Sequence, residues 1–150
     1  MVALNLPTYT YTLKREGDKV YILDLLRKKY LLLTPEEWVR QHFVHHLIND
    51  RHYPRALIKM EGGLKFNSLS KRSDIVIFSR EGKPWMLVEC KAPDYKLRQT
   101  TIEQASTYNH TLRASFIVIT NGMSHICCEV DWTNGTSRQI MDLPLFEEKL

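Results

Sequence analysis

The sequence predicts an α/β fold organised around a mixed central β-sheet, and three observations carry that expectation. Asp74-Ile75-Val76-Ile77-Phe78 and Trp85-Met86-Leu87-Val88-Glu89-Cys90-Lys91 are nearly continuous apolar runs, the mark of strands covered on both faces. The turn Arg80-Glu81-Gly82-Lys83-Pro84 between them makes a hairpin. A helical stretch over roughly 100–112 then leads into a further buried run, Phe116-Ile117-Val118-Ile119-Thr120, which is a strand, helix, strand crossover.

In chain order, Tyr9 to Leu13 and Val20 to Leu23 flank the polar turn Arg15-Glu16-Gly17-Asp18-Lys19 and predict an N-terminal hairpin. Thr34-Pro35-Glu36-Glu37 predicts a helix start: Thr caps, Pro suits the first helical position, and the acids face the positive end of the dipole. On that helix Val39, Phe43, Val44, Leu47 and Ile48 share one side, with Trp38, His42 and His45 on the other. Tyr53-Pro54 ends it, and Ala56 to Met60 and Leu64 to Phe66 predict strands joined through Glu61-Gly62-Gly63. The second helix buries Ile102, Ala105 and Leu112. Alternation of Ile126, Cys128, Val130 and Trp132 up to Asn134-Gly135 predicts a two-residue hairpin, with Arg138 to Leu143 as the returning strand.

At 150 residues, 43% hydrophobic and 25% charged, the chain has material for one core and is expected to be a single domain over 1–150. No apolar run reaches the ~20 residues of a membrane span, and the opening Met1 to Pro7 lacks a signal-peptide layout, so a cytoplasmic protein is expected. Three cysteines, two of them adjacent, form no even disulfide framework and no paired zinc spacing. A net charge of +4 permits a nucleic-acid partner without demanding one. The absence of a Gly-x-x-x-x-Gly-Lys loop excludes a recognisable ATP-driven motor within these residues.

Glu89-Cys90-Lys91 is the chemically informative segment, because charges at the end of a buried strand are costly unless they pair or bind something. Alternation sends Glu89 and Lys91 to one face and Cys90 to the other. Asp74, opening the neighbouring strand, brings a second carboxylate beside Glu89. Two adjacent carboxylates repel unless a divalent cation neutralises them, and acidic ligands completed by waters and a phosphate suit magnesium. The Cys90 backbone carbonyl is a further candidate ligand, and the Lys91 ammonium a candidate for orienting water or stabilising phosphate charge.

These residues, with Glu37-Trp38-Val39-Arg40, Ala92-Pro93 and Gln104-Ala105-Ser106-Thr107-Tyr108, resemble the PD-(D/E)xK nuclease superfamily. The closer likeness is to the N-terminal nuclease domain of type I restriction enzyme R subunits, over about 34–121. The resemblance implies a restriction-endonuclease-like mixed sheet flanked by helices, here with added N- and C-terminal hairpins. It implies Asp74 and Glu89 as metal ligands, Lys91 as the catalytic lysine, Glu37 as an auxiliary acid, and Gln104 and Tyr108 as supports near the DNA. It further implies magnesium-dependent phosphodiester cleavage, with manganese able to substitute. Ser73 stands where the motif has proline, a minor departure because proline carries no ligand atom. Family R subunits follow the nuclease with a motor, whereas this sequence ends at Leu150, so a separate motor or specificity subunit is an expected partner beside DNA.

Blander readings stand beside these. Glu-x-Lys is common as a solvated pair on strand edges. Glu37 also fits a capping box that returns a hydrogen bond to Thr34. Gln104 and Tyr108, four apart, fit a helix-surface pair. His42, His45 and His46 invite a zinc reading, but no further ligand cluster supports it and a solvated helix face is the expectation. Glu61 is read as a turn residue. Of the basic groups Arg27-Lys28-Lys29, Lys71-Arg72 and Lys96 with Arg98, Lys71 and Arg72 are the preferred phosphate contacts. A magnesium-dependent deoxyribonuclease is therefore expected. The alternatives are a catalytically silent DNA-binding or assembly module of the same fold, and a nuclease acting on RNA.

Overall fold

A computed structural model describes residues 1–61 and 74–147 of the chain. Strands β1 (Leu13–Glu16), β2 (Lys19–Leu23) and β3 (Tyr30–Leu32) form a three-stranded antiparallel sheet in that order. Its first turn is the two-residue Gly17-Asp18, closed by Glu16 opposite Lys19, and the Gly17 φ of +63° is one that glycine adopts without a Cβ penalty. The expected hairpin is present, and β3 adds a strand that the sequence did not announce.

The larger sheet runs β4 (Ile58–Glu61), β5 (Asp74–Phe78), β6 (Pro84–Cys90), β7 (Phe116–Thr120), β8 (His125–Asp131) and β9 (Thr136–Ile140), in that spatial order. Every neighbouring pair is antiparallel except β6 with β7, which are parallel and joined through helix α2 (Gln99–Leu112). This is the predicted crossover. Helix α1 (Pro35–His45) covers the opposite face: its Val39, Phe43 and Val44 form one core with Ile75, Ile77, Met86, Val88 and Cys90. On the α2 face, Ala105 joins Ile117 and Ile119, while Tyr108 and Leu112 pack against Val76, Leu87 and Ala114. Burial on both faces is the physical reason why β5, β6 and β7 read as continuous apolar runs.

Several local expectations are corrected. Arg55–Leu57 is a 3-10 turn, and β4 begins only at Ile58. Glu61 is the last residue of β4, opposite Asp74, and is not a turn residue. Gly62-Gly63 and the predicted strand Leu64 to Phe66 lie outside the described residues. The last hairpin closes with four residues, since Asp131 pairs with Thr136. The Asp131 carboxylate accepts hydrogen bonds from the backbone N–H of Thr133 and of Asn134, an Asx turn that overrides the two-residue preference of Asn134-Gly135. That hairpin extends the central sheet through β8, and its returning strand is Thr136–Ile140.

The largest departure concerns α1. The Thr34 hydroxyl caps it, accepting from the Glu37 N–H at 3.0 Å, and the helix continues into a π-helical turn over His46–Asp50. The Trp38 and His42 side, expected to be solvated, is buried, at 6% and 4% exposure. Residues 2–11 cover it. Trp38 Nε1 donates to the Val2 carbonyl at 2.9 Å, Tyr11 meets Trp38 edge-on, and Tyr9 stacks on His45 and meets His42 edge-on. Tyr9 and Tyr11 thus serve as a cover and not as a strand, which is why β1 starts late. The Asn5 N–H donates to the Gly122 carbonyl at 2.8 Å, and Leu4 lies where a Cβ on Gly122 would stand. Among the described residues no helix is long and apolar enough to cross a membrane.

Burial under this cover lowers the pKa of His42 and of His45, and burial also lowers that of His125. The folded chain thus favours neutral rings, whereas the unfolded chain takes up protons near pH 6.5. Stability is therefore fully present above that value and is lost as pH falls through the depressed folded values. Urea midpoints are expected to drop between pH 7.5 and 5, and His42→Gln to flatten the drop. An unchanged slope in that variant would remove His42 from the account.

Candidate active site

The β5 and β6 hairpin aligns Asp74 with Glu89, and both are buried, at 1% and 5% exposure. Directly paired residues share a sheet face, so the two carboxylates stand together at the end of the ladder that continues with Val76 and Leu87, on the side covered by α2. Lys91 follows β6, and its N–H donates to the Thr120 carbonyl at 2.8 Å, which prolongs the parallel pairing. Its ammonium lies 3.0 Å from Glu89 Oε2 and 5.0 Å from the centre of the Tyr95 ring. Tyr95 is itself fixed: its carbonyl accepts from Asn121 Nδ2 at 2.7 Å, and its hydroxyl is 3.2 Å from Thr101 Oγ1.

Cys90 takes the other face, as alternation requires, and packs with Val88, Ile75 and Met60. Burial pushes its thiol well above the ordinary cysteine value, so the sulfur stays protonated and is no nucleophile. Any contribution to chemistry belongs to its backbone carbonyl.

Glu37 does not return the hydrogen bond to Thr34 that the capping reading gave it. Its two carboxylate oxygens accept from Arg40 Nη2 at 2.7 Å and Arg40 Nε at 2.9 Å, and Gln41 Nε2 donates to Oε2 at 2.9 Å. The capping box is thus half formed: Thr34 caps the Glu37 N–H, but the Glu37 side chain turns to Arg40. Arg40 reaches onward, with Nη1 donating to the Asp74 carbonyl at 3.2 Å. The Arg40 side chain is fully buried. Burial opposes its charge, but the hydrogen bonds and charge of Glu37 outweigh that cost and hold the guanidinium pKa above its ordinary value.

On α2, Tyr108 is half-buried against Val76, Leu87 and Ala114, the same sheet face as the two acids. Gln104, one turn earlier, is exposed. Lys71 and Arg72 lie outside the described residues. Among the described residues, no three His, Cys, Asp or Glu side chains converge in a way that could hold a metal ion, the histidines of α1 included. Among the described residues, the carboxylates that β5 and β6 bring together are those of Asp74 and Glu89. That pair fits a hard divalent cation which keeps waters, such as magnesium, and does not fit zinc.

A family model described as the type I restriction enzyme R protein N terminus matches residues 35–144. The chain belongs to that family. The match runs from the first residue of α1 past the end of β9, so it includes all six strands of the central sheet. The restriction-endonuclease-like fold expected from the motifs agrees with the mixed sheet and its flanking helices, and family membership points to a nuclease role in restriction. No curated protein and no solved structure matches the chain. Within the family frame, the structure brings together Asp74, Glu89, Lys91 and, one layer out, Tyr108. Glu37 is linked to the Asp74 backbone through Arg40.

Two residues of this arrangement escaped the sequence reading. Arg40 was quoted with the helix motif but given no part, although an acid and an arginine at i,i+3 are a recognised pairing signal. Tyr95 follows Lys91 by four residues across the Ala92-Pro93-Asp94 turn, a spacing with no periodic signature.

Proposed function

We propose that this chain is a magnesium-dependent deoxyribonuclease, the cleaving part of a type I restriction system that works with motor and specificity functions. The carrying observation is the alignment of Asp74 with Glu89 across a buried ladder, with the Lys91 ammonium 3.0 Å from Glu89. Asp74 and Glu89 would hold the cation, with the Cys90 carbonyl as a further oxygen donor, and manganese would substitute. When bound, the cation supplies charge neutralisation at the phosphate and acidifies a nearby water.

The remaining work falls to the chain. Lys91 donates from its ammonium to the attacking water or to a phosphate oxygen, where negative charge builds as the phosphodiester is hydrolysed. Glu89 and the Tyr95 ring together fix where that ammonium sits. Glu37 acts as a positioning residue: it orients Arg40, which holds the Asp74 backbone. Exposed Gln104 and half-buried Tyr108 face incoming DNA from α2, and Lys71 and Arg72 would add phosphate contacts. The three cysteines are free and buried, which suits a reducing cytoplasm.

Calorimetric titration of magnesium into the wild-type chain and into Asp74→Ala tests this, with plasmid and single-stranded DNA cleavage followed at each metal level. The expected result is saturable binding in the wild type, its loss in Asp74→Ala, and cleavage only with metal. No binding by the wild type even with DNA present would overturn the metal assignment. Binding without cleavage would transfer the reading to a catalytically silent module that needs its motor subunit.

A further inference from the structure

The N-terminal sheet has an outer face that the nuclease reading leaves unused. Register places Leu13, Ile22 and Leu31 in one row; Ile22 is fully buried and Leu31 half-buried, so the centre of this face turns inward, while Leu13 on the edge strand is 43% exposed. The adjacent row, Lys14, Tyr21 and Leu32, turns outward, as does the Leu23 and Tyr30 pair. Tyr30 and Leu32 are 37% and 48% exposed, and the Lys14 ammonium lies 4.6 Å over the Tyr30 ring. An exposed aromatic and aliphatic surface with a cation laid on it is costly to leave in water without a use.

Charge says what would cover it. Residues 13–32 hold six Lys or Arg and three Asp or Glu, so three of the chain's four net positive charges fall in this short segment. Two of those three acids are engaged: Glu16 pairs with Lys14, and Asp24 is buried with Arg27 Nε at 2.9 Å. Asp24 also templates the loop between β2 and β3. Its carboxylate accepts from the backbone N–H of Leu26 and Arg27, both at 2.8 Å, and its own carbonyl accepts from the Lys28 N–H at 3.0 Å. Lys28 is held at a φ of +54°, and both Lys28 and Lys29 are exposed beside Tyr30. The loop thus carries two exposed cations immediately before Tyr30 in the chain.

We propose that this face binds single-stranded DNA, with bases on Tyr30, Tyr21 and Leu32 and phosphates on Lys28 and Lys29. Base faces are accessible only in unpaired strands, and aromatic platforms flanked by cations hold such strands with little regard to sequence. A frame connects the face to the candidate active site: the Leu25 N–H donates to Gln41 Oε1 at 3.1 Å, Gln41 holds Glu37, and Glu37 holds the Arg40 that meets Asp74. The N-terminal sheet is thereby tied to α1 and, through Arg40, to the Asp74 backbone.

Fluorescence anisotropy with a labelled oligothymidylate of roughly 16 nucleotides, in chelator so that nothing is cut, tests the proposal on the full chain. Lys28→Glu with Lys29→Glu is expected to weaken binding at least tenfold and to shrink the salt slope by about 1.4, at ~0.7 per phosphate contact on single strands. Tyr30→Ser should weaken it about fivefold or more with the salt slope unchanged. Unchanged melting temperatures verify that these exposed substitutions leave the fold in place. Wild-type affinity in both variants overturns the proposal. So does duplex bound as tightly as single strand with Tyr30→Ser silent, or a loss of self-association with DNA binding intact, which would mean that a second copy covers the face. Because binding is read without metal, absence of cleavage by the wild-type chain at every metal level would sink the nuclease reading and leave this one standing.

Discussion

Lys91→Ala is expected to lose at least ~100-fold in DNA cleavage while calorimetry still records the metal. The magnitude follows from removing one preorganised donor at a site of developing charge, which typically costs about 10²–10³ in turnover. The specificity of the effect follows from the geometry: the ammonium touches Glu89 at 3.0 Å, whereas the carboxylates that would hold the cation are Asp74 and Glu89. The Lys91 side chain is 25% exposed, so its removal opens no cavity in the core. It does leave the two acids facing each other with less compensation, so the variant is expected to melt earlier without metal and to recover when metal is added. A cleavage rate within a few-fold of wild type would show that Lys91 is a structural partner of Glu89 and no more.

Arg40→Ala is expected to lower the unfolding free energy by about 3–5 kcal/mol, the usual cost of leaving one member of a buried ion pair uncompensated. The Arg40 and Glu37 side chains are 0% and 6% exposed, and Arg40 is also the link between α1 and the Asp74 backbone. Glu37→Ala should cost a comparable amount. The double variant Glu37→Gln with Arg40→Met should cost less than the sum of its single changes, with a coupling of about 0.5–3 kcal/mol in a double-mutant cycle. Urea denaturation of the wild type, the two alanine variants, Glu37→Gln, Arg40→Met and their double variant measures this. If Glu37→Ala instead abolished metal binding and cleavage at wild-type stability, Glu37 would be a metal-site acid and the positioning role would be wrong.

How far the sequence carried depended on whether burial left a regular trace. β5, β6 and β7 were legible because both their faces are covered, which leaves runs of mostly apolar residues, and the opposition of Asp74 and Glu89 then followed from a hairpin with one turn. The start of α1 was legible because Thr34-Pro35 carries its own capping chemistry. What failed was the assumption that a helix has one buried stripe. Tyr9 and Tyr11 cover a second side of α1, and nothing local to Trp38, His42 or Arg40 announces a cover supplied by chain some thirty residues away. The partner of Glu37 was misjudged for a related reason: the capping motif and the pairing with Arg40 compete for one carboxylate, and the burial of Arg40, invisible in sequence, decides for the pairing. β3 had too few residues to show alternation.

The tether of the opening residues also fixes an order of events during synthesis. Asn5 Nδ2 donates to the Met123 carbonyl, 118 positions downstream. At about 5–20 residues per second, the ribosome delivers that partner roughly 6–24 s after Asn5 itself is made. The segment that carries Asn5 is therefore made well before the partner on which it docks. Until the turn after β7 emerges, Trp38 and His42 have only part of their cover, and nascent α1 carries an apolar flank that is closed once most of the chain exists.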